Sequence, residues 1–382
     1  MKERKKIVRA CTASRSMRFI EEVLPKLKER YEVLLLSSPG SELNATCAKC
    51  GVKGVAIHME RQISLVKDFM SLIKLIKCFR QEKPQMVHSI TPKAGLLCMT
   101  AAWLTRVPVR VHTFTGLIWP TSTGLRRRIL MTTDKMTCAF ATHIIPEGEG
   151  VKNDLLNNGI TKKPLKVLGY GNIKGIDLKL FSRRPEVMEI ATRITQASKK
   201  FTFLYVGRLV GDKGINELVA AFLRLNKIMP NSRLILIGAL EEKLDPLSED
   251  IRRRIETHPD IEAVGRKGGD ELIAYYAAAD CYVHPSYREG FPNVVLEAGA
   301  MGTPCIVTDI NGSREIIKEG ENGVIVPPQN EQALYDAMLK MMTDNEARQR
   351  MAGNARRMIA DRFDMEFVQQ CLLDFYEDIL KD

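Results

Sequence analysis

Short apolar runs of strand length alternate with amphipathic stretches of helix length along this chain, in two successive series. In the first series Lys6–Cys11, Tyr31–Leu36, Val55–His58, Met86–Ser89, Val109–Thr113 and His143–Pro146 read as strands. Between them, apolar residues recur at helical spacing: Met17, Ile20, Val23, Leu24 and Leu27, then the stretches Leu65–Phe79, Ala94–Leu104 and Leu125–Thr142. In the second series the strands are Thr202–Val206, Arg233–Ile237, Ile261–Val264, Cys281–His284, Cys305–Thr308 and Gly323–Val326. Its helices are Ile215–Lys227, Ser248–Thr257, Asp270–Ala279, Asn293–Met301 and Glu331–Thr343. Such alternation points to parallel sheets with helices on both faces, an α/β chain of two Rossmann-like doubly wound domains with a cleft between them. Residues 169–200, opening on GYGNIKGIDLKLF, read as the connector. The expected domains are 1–180, including the linker from 169, and 181–365, with a terminal helix over 366–382.

A chain of 382 residues has room for two or three domains. No apolar run is long enough to span a bilayer; Gly95–Leu104 is interrupted by polar residues and stops at Thr105-Arg106. The basic start, MKERKKIVRACTA, has too short an apolar run for a signal peptide. A cytoplasmic chain is therefore expected. Nine scattered cysteines, an odd number, do not form a disulfide framework, and Cys47 and Cys50 lack a second pair or histidine at zinc spacing. Charge is more telling. Of 57 Lys and Arg and 46 Asp and Glu, 31 and 14 fall in residues 1–180, a net +17 against −6 for the rest. The first half thus favours anionic partners.

The chemistry-bearing residues cluster at strand ends. Asp280–Pro304 reads DCYVHPSYREGFPNVVLEAGAMGTP: a strand, a turn, then a helix with Pro292 at its start. Glu289 lies in the turn and Glu297 about one helical turn into the helix, at the strand's carboxyl end where open α/β sheets bind ligands. The unpaired N–H groups of such a helix start favour phosphate. Upstream, FTFLYVGRLVGDKG places Arg208 and Lys213 after another strand, with Gly207 and Gly211 allowing close backbone approach. Two cations on such a loop suit a diphosphate. No G-x-G-x-x-G or P-loop stands in strand-to-helix context, which disfavours the usual nicotinamide and ATP enzymes.

Glu289-Gly290-Phe291-Pro292-Asn293 with Glu297 resembles the E-x7-E signature of retaining, GT-B-fold glycosyltransferases of family 4, also called group 1. Arg208 and Lys213 resemble the same family's GR-x-x-x-x-KG element, and YYAAAD before the signature is similar to its usual helix. The resemblance implies an enzyme that moves a sugar from a nucleotide-sugar donor, expected to be a UDP-sugar. Arg208 and Lys213 would hold the diphosphate and Glu297 the ribose. Glu289 would orient the donor sugar with the backbone of Gly290 and Phe291. Gly207, Arg266, Pro292 and Asn293 would complete the donor site, and Glu289, Arg208 and Lys213 are the expected catalytic residues. The chain contains no D-x-D, so no metal and no cofactor are expected, and the two cations would offset charge on the leaving diphosphate.

In the first half, VHSITPKAG and VRVHTFTG stand at successive strand ends. Many relatives carry a histidine immediately before the glycine of the second motif; here Thr115 precedes Gly116, and His112 is three residues too early. Thr115, Gly116 and Lys93 are the candidate acceptor or sugar contacts, and His88 and His112, inside strands, read as buried structural residues. These motifs together with NIKGIDLKLF are similar to the branch that builds bacterial capsular, exopolysaccharide or O-antigen units. It implies an undecaprenyl-diphosphate-linked sugar acceptor and a peripheral position at the anionic inner face of the cytoplasmic membrane. There the helix headed by Arg126-Arg127-Arg128, or the helix beginning at Leu65, would lie on the surface. Two competing readings are a non-hydrolysing sugar-nucleotide epimerase of the same fold and a basic nucleic-acid-binding protein. The first lacks its signatures here. The second would need aromatic platforms or a reading motif, and with aromatics at 6% no nucleic-acid partner is expected.

Overall fold

The computed structural model describes residues 4–60, 62, 64–241 and 245–381. The chain divides into two compact units, Met1–Gly175 with Glu366–Asp382, and Ile176–Met365.

In the first unit the elements run β1 (Lys6–Ala10), α1 (Leu24–Arg30), β2 (Glu32–Ser37), α2 (Ser41–Cys50), β3 (Lys53–Ala56), α3 (Leu65–Glu82), β4 (Met86–Ile90), α4 (Pro92–Leu104), β5 (Val109–Phe114), α5 (Gly124–Phe140), β6 (His143–Pro146) and α6 (Glu149–Asn157). The second unit comprises α7 (Pro185–Ala197), β7 (Phe201–Val206), α8 (Ile215–Ile228), β8 (Ser232–Ile237), α9 (Glu249–Thr257), β9 (Ile261–Gly265), α10 (Gly269–Ala278), β10 (Cys281–His284), α11 (Asn293–Ala300), β11 (Cys305–Thr308), α12 (Ser313–Ile316), β12 (Gly323–Val326), α13 (Glu331–Thr343) and α14 (Asn345–Phe363). The last helix, α15 (Met365–Ile379), packs on the first unit.

Each unit holds a six-stranded sheet, ordered β3-β2-β1-β4-β5-β6 and β12-β11-β10-β7-β8-β9. All pairings between these strands are parallel. Counted within its own unit, each order is that of the doubly wound fold, whose direction reverses between the first and fourth strands. In the second unit the reversal falls between β7 and β10, where Cys281 pairs with Phe203 and Tyr282 with Leu204. The turns that follow these two strands are therefore neighbours.

The sheets form because their central strands are apolar on both faces, as parallel strands covered by helices must be. Phe203, Leu204, Tyr205, Cys281, Tyr282 and Val283 are all fully buried. Burying a side chain of the Val, Leu or Phe class stabilises by roughly 1.5–3 kcal/mol before ordering entropy is subtracted. Two apolar clusters flank the sheet in each unit.

The structure departs from the sequence reading at several places, two of them in longer helical stretches. The apolar periodicity from Met17 to Leu27 suggests one helix, but only Leu24–Arg30 is α-helical and two 3₁₀ turns precede it. Pro25 lies in the first turn of α1. It has no N–H to bond backwards and would clash with a preceding helical turn, so the helix starts there instead of running through. The second departure is α14, 19 residues long, which the sequence reading left unassigned.

Candidate active site

Two turns at the carboxyl edge of the second sheet build the site. After β7, the backbone N–H of Gly207 donates to Ile237 at 2.9 Å and that of Leu209 to Ala239 at 3.0 Å, so the loop follows β8 before entering a 3₁₀ turn over Gly211–Lys213. Gly214, at φ +69°, then precedes α8 as its cap, and a β-carbon there would lie 2.0 Å from the carbonyl oxygen of Pro285. Only glycine lets the β7 turn come this close to the β10 turn. Other bonds stitch the two turns together. Tyr287 N–H donates to the Asp212 carbonyl at 2.9 Å. Arg288 pairs with the Asp212 carboxylate at 2.9 Å, and Tyr287 Oη donates to Glu217 at 2.6 Å.

That stitching brings Lys213 to Glu289: the ammonium donates to Oε1, with Ser286 Oγ at 3.5 Å. His284, the last residue of β10, approaches the same oxygen through Nε2 at 3.2 Å. A carboxylate only accepts, so Nε2 carries the proton of this bond. Burial acts to raise the Glu289 carboxyl. The His284 hydrogen bond and the Lys213 ammonium outweigh it and hold the group down at about 2. Glu289 is an anion throughout the physiological range.

Arg208 is half exposed, bonded to Glu241 at 2.8 Å and 4.0 Å from Asp212. Both cations of the loop are thus held by carboxylates, Arg208 by Glu241 and Lys213 by Glu289. Glu297, on α11, accepts from the buried Tyr276 Oη at 2.9 Å. Gly290, Phe291 and Pro292 are buried, and Phe291 packs edge-on against Phe363 at 5.4 Å. Gly312, at φ +75°, lies against this turn; a β-carbon there would be 2.5 Å from the Gly290 carbonyl. Asn293 opens α11. Arg266 is exposed just beyond β9, the edge strand, separated from β10 by β8 and β7 in the sheet. Glu315 accepts from Gly312 N–H at 3.2 Å, a local loop-closing role.

In the first unit Thr115 and Gly116 directly follow β5. Lys93, in the first turn of α4, is 2.5 Å from Asp68 on α3 and donates to the Gln62 carbonyl at 3.0 Å. His88 and His112 are buried, as read from their strands. His88 lies 2.5 Å from Tyr376 Oη and 2.7 Å from Thr113 Oγ1, and His112 lies 2.8 Å from Ser89 Oγ. Burial pushes both rings toward the neutral form, His112 down to about 3.

Sequence reasoning missed His284, Asp212, Glu241 and Tyr276. His284 had a usable signal, since it ends the strand that leads into the Glu289 turn. The other three act through sheet order, which no local pattern displays. Among the described residues no group of three or more His, Cys, Asp or Glu is placed to hold a metal ion.

Residues 188–358 match the family described as glycosyl transferases group 1, and residues 18–171 match the glycosyl transferase 4-like domain. The chain is 31% identical over 379 residues to the capsular polysaccharide biosynthesis glycosyltransferase CapM of Staphylococcus aureus, covering 99% of this chain and 98% of that one. It is 27% identical over 329 residues to the UDP-Gal:alpha-D-GlcNAc-diphosphoundecaprenol alpha-1,3-galactosyltransferase of Escherichia coli, covering 84% and 82%. The crystal structure of Anabaena HepE in complex with UDP superposes with a TM-score of 0.81 at 19% identity, over 98% of this chain and 100% of that one; the fold is GT-B. The chain belongs to the group 1 glycosyl transferases and is a glycosyltransferase.

Proposed function

We propose that the protein transfers a sugar from a UDP-sugar to an undecaprenyl-diphosphate-linked glycan during assembly of a bacterial surface polysaccharide. The transfer retains the donor's anomeric configuration and uses no metal ion. The observation that carries this reading is the junction of Lys213, Glu289 and His284 beside Arg208, at the reversal point of the second sheet. The likeness to CapM over nearly the whole chain supports the pathway, and the acceptor named for the Escherichia coli relative supports the lipid-linked substrate.

When the anomeric C–O bond breaks, the leaving diphosphate gains negative charge. Arg208 and Lys213 receive it, Arg208 exchanging its Glu241 partner for phosphate oxygens. Glu297 accepts from ribose hydroxyls while Tyr276 fixes its carboxylate. Glu289, ionised, accepts from hydroxyls of the donor sugar, with the Gly290 and Phe291 backbone beside it, and Pro292 and Asn293 shape the turn. Retention follows if the leaving phosphate takes the proton of the acceptor hydroxyl on the same face. Lys93, Thr115 and Gly116 belong to the acceptor side.

The test is transfer by purified protein to undecaprenyl-diphosphate-linked sugars from a panel of UDP-, GDP- and TDP-sugars, with melting temperature read in parallel, since a ligand that binds only the native state raises it. The expected outcome is stabilisation and turnover with a UDP-sugar, undiminished by chelator, and loss of turnover by about 100-fold or more in Arg208→Ala and Lys213→Ala. Turnover that vanishes on chelation and returns with manganese contradicts the metal-independent mechanism. Full activity in both variants contradicts the site.

A further inference from the structure

Glu289 is held by two donors of different kinds. Lys213 reaches its Oε1 from the turn after β7, on a flexible four-carbon stem, and the same ammonium lies 3.5 Å from Ser286 Oγ. His284 reaches that oxygen at 3.2 Å from the last position of β10. The histidine is 2% exposed, and its other ring nitrogen, Nδ1, lies 3.3 Å from Tyr282 Oη. Tyr282 and His284 stand two residues apart on one strand, so their side chains leave the same face of the sheet. The two rings stack at 6.2 Å with 18° between their planes. With Nε2 on Glu289 and Nδ1 on Tyr282, the imidazole is fixed at both ends, whereas the lysine stem has several rotamers open to it.

Tyr282 continues the arrangement toward the second carboxylate. Its ring meets Tyr276 of α10 edge-on at 5.7 Å, and Tyr276 Oη donates to Glu297 at 2.9 Å. Both tyrosines are fully buried. A file of three buried rings thus joins Glu289 to Glu297, and each carboxylate is bonded to the ring at its own end. The titratable groups that face Glu289 are Lys213 from the turn after β7, Tyr205 from β7, and His284 and Tyr282 from β10. Burial pushes both phenols well up, so they stay neutral. Lys213 and His284 are left to hold the Glu289 charge.

We infer that His284 is a positioning residue for sugar transfer: it keeps the Glu289 carboxylate in place when Lys213 turns to the donor's diphosphate. The inference rests on the proposed donor site, in which one ammonium serves two anions. Bonded only to Glu289, Lys213 leaves the diphosphate to Arg208. Drawn to the diphosphate, it leaves Glu289 with a single donor, and His284 is that donor. Its N–H replaces hydration that the partly buried carboxylate has lost, and it keeps Oε1 aimed at the hydroxyls of the donor sugar. Tyr282 acts through His284, by setting the angle of the ring.

The test compares the wild type with His284→Phe, which keeps a buried ring without the N–H, and His284→Gln, whose amide N–H stands in for Nε2. UDP affinity, kcat with a UDP-sugar and the pH profile of turnover are read on each. His284→Phe is expected to lower kcat by about tenfold or more, the scale of one hydrogen bond to a charged group, and to leave UDP affinity within about twofold. It is also expected to bring in an acid limb above about pH 4 that the wild type lacks. His284→Gln should recover most of kcat and remove the limb; His284→Leu replaces the phenylalanine variant if that protein does not fold. Wild-type kcat and pH profile in His284→Phe overturn the inference. So does a loss of UDP affinity as large as the loss of kcat, since His284 would then only support the turn, and so does a glutamine variant no better than phenylalanine. Unfolding, which needs no substrate, separates this from the donor reading. Were the wild type to turn over no UDP-sugar, the proposed function would fall. His284→Phe would still lose less stability than the wild type as pH falls from 4.5 to 2, and an equal loss would remove His284 from Glu289 altogether.

Discussion

Glu289 accepts from a lysine and a histidine at once, and that double bond to cationic or protonated donors fixes its charge. Its folded value near 2 lies below the 4.5 of a free carboxyl. The sign follows: the group contributes stability above 4.5, and that contribution is lost as pH falls toward 2. Glu289→Gln should therefore be less stable than wild type near neutrality, by roughly 1–3 kcal/mol, with the gap closing between pH 4.5 and 2 in thermal unfolding. Turnover of the wild type should show no acid limb from this residue above pH 4. An apparent Glu289-dependent limb near pH 6, absent in Glu289→Gln, would contradict its role as a permanent anion. Arg208, Lys213 and Glu289 stood out in the sequence as donor-site candidates because they follow strands in turns, and Glu297 because it lies just beyond such a turn, on α11. Asp212, Glu241 and Tyr276 did not, because their partners come from other turns or elements. Tyr276, for example, meets Glu297 from a separate helix.

Among the elements, the helices show where periodicity suffices and where it fails. α13 was read with its observed limits, since its apolar residues recur at helical spacing; the structure adds the Asn330 cap, whose side chain accepts from Ala333 N–H. α14 buries Ala347, Met351, Ala355, Met358, Ile359 and Phe363, a sound helical spacing. Two of these are alanines, and Ala352, Gly353 and Ala360 lie off the stripe, so small residues on both sides of the helix blur its apolar periodicity. α15 shows a further element-scale device: Tyr376 Oη accepts from the buried Arg9 guanidinium at 2.6 Å and lies 2.5 Å from His88. The ring closes one side of β1 and β4, beside a cavity of about 20 Å³ lined in part by Arg9, His88 and Thr113, room for one water. Tyr376→Phe would leave a buried arginine and histidine short of a partner, and should lower stability by about 1–3 kcal/mol in denaturant unfolding. A neutral result would mean that water replaces the hydroxyl in full. Gly214→Ala, forced against the Pro285 carbonyl at an unfavourable φ, should separate the two turns. Weaker UDP binding with a lower melting temperature is expected, and wild-type values for both would remove the close approach from the account.

Over the whole molecule, alternation of strand and helix predicted two parallel sheets, and both formed, each with its own apolar clusters. Strand order could not be read the same way. It depends on which crossover each helix makes, and that is settled by packing across the sheet. Net charge divides along the same line, with the positive excess in residues 1–180 and the residues assigned to the donor in the acidic remainder. Under the proposed function, donor binding by an acidic region rests on a few placed cations, since the regional field opposes it. Removing one such cation should be felt sharply. Isothermal titration of UDP into the wild type and into Lys213→Ala tests this most directly. The account predicts measurable binding to the wild type and an affinity at least about tenfold weaker in the variant, the loss of a charge-assisted hydrogen bond. Equal affinity in the two proteins would contradict it.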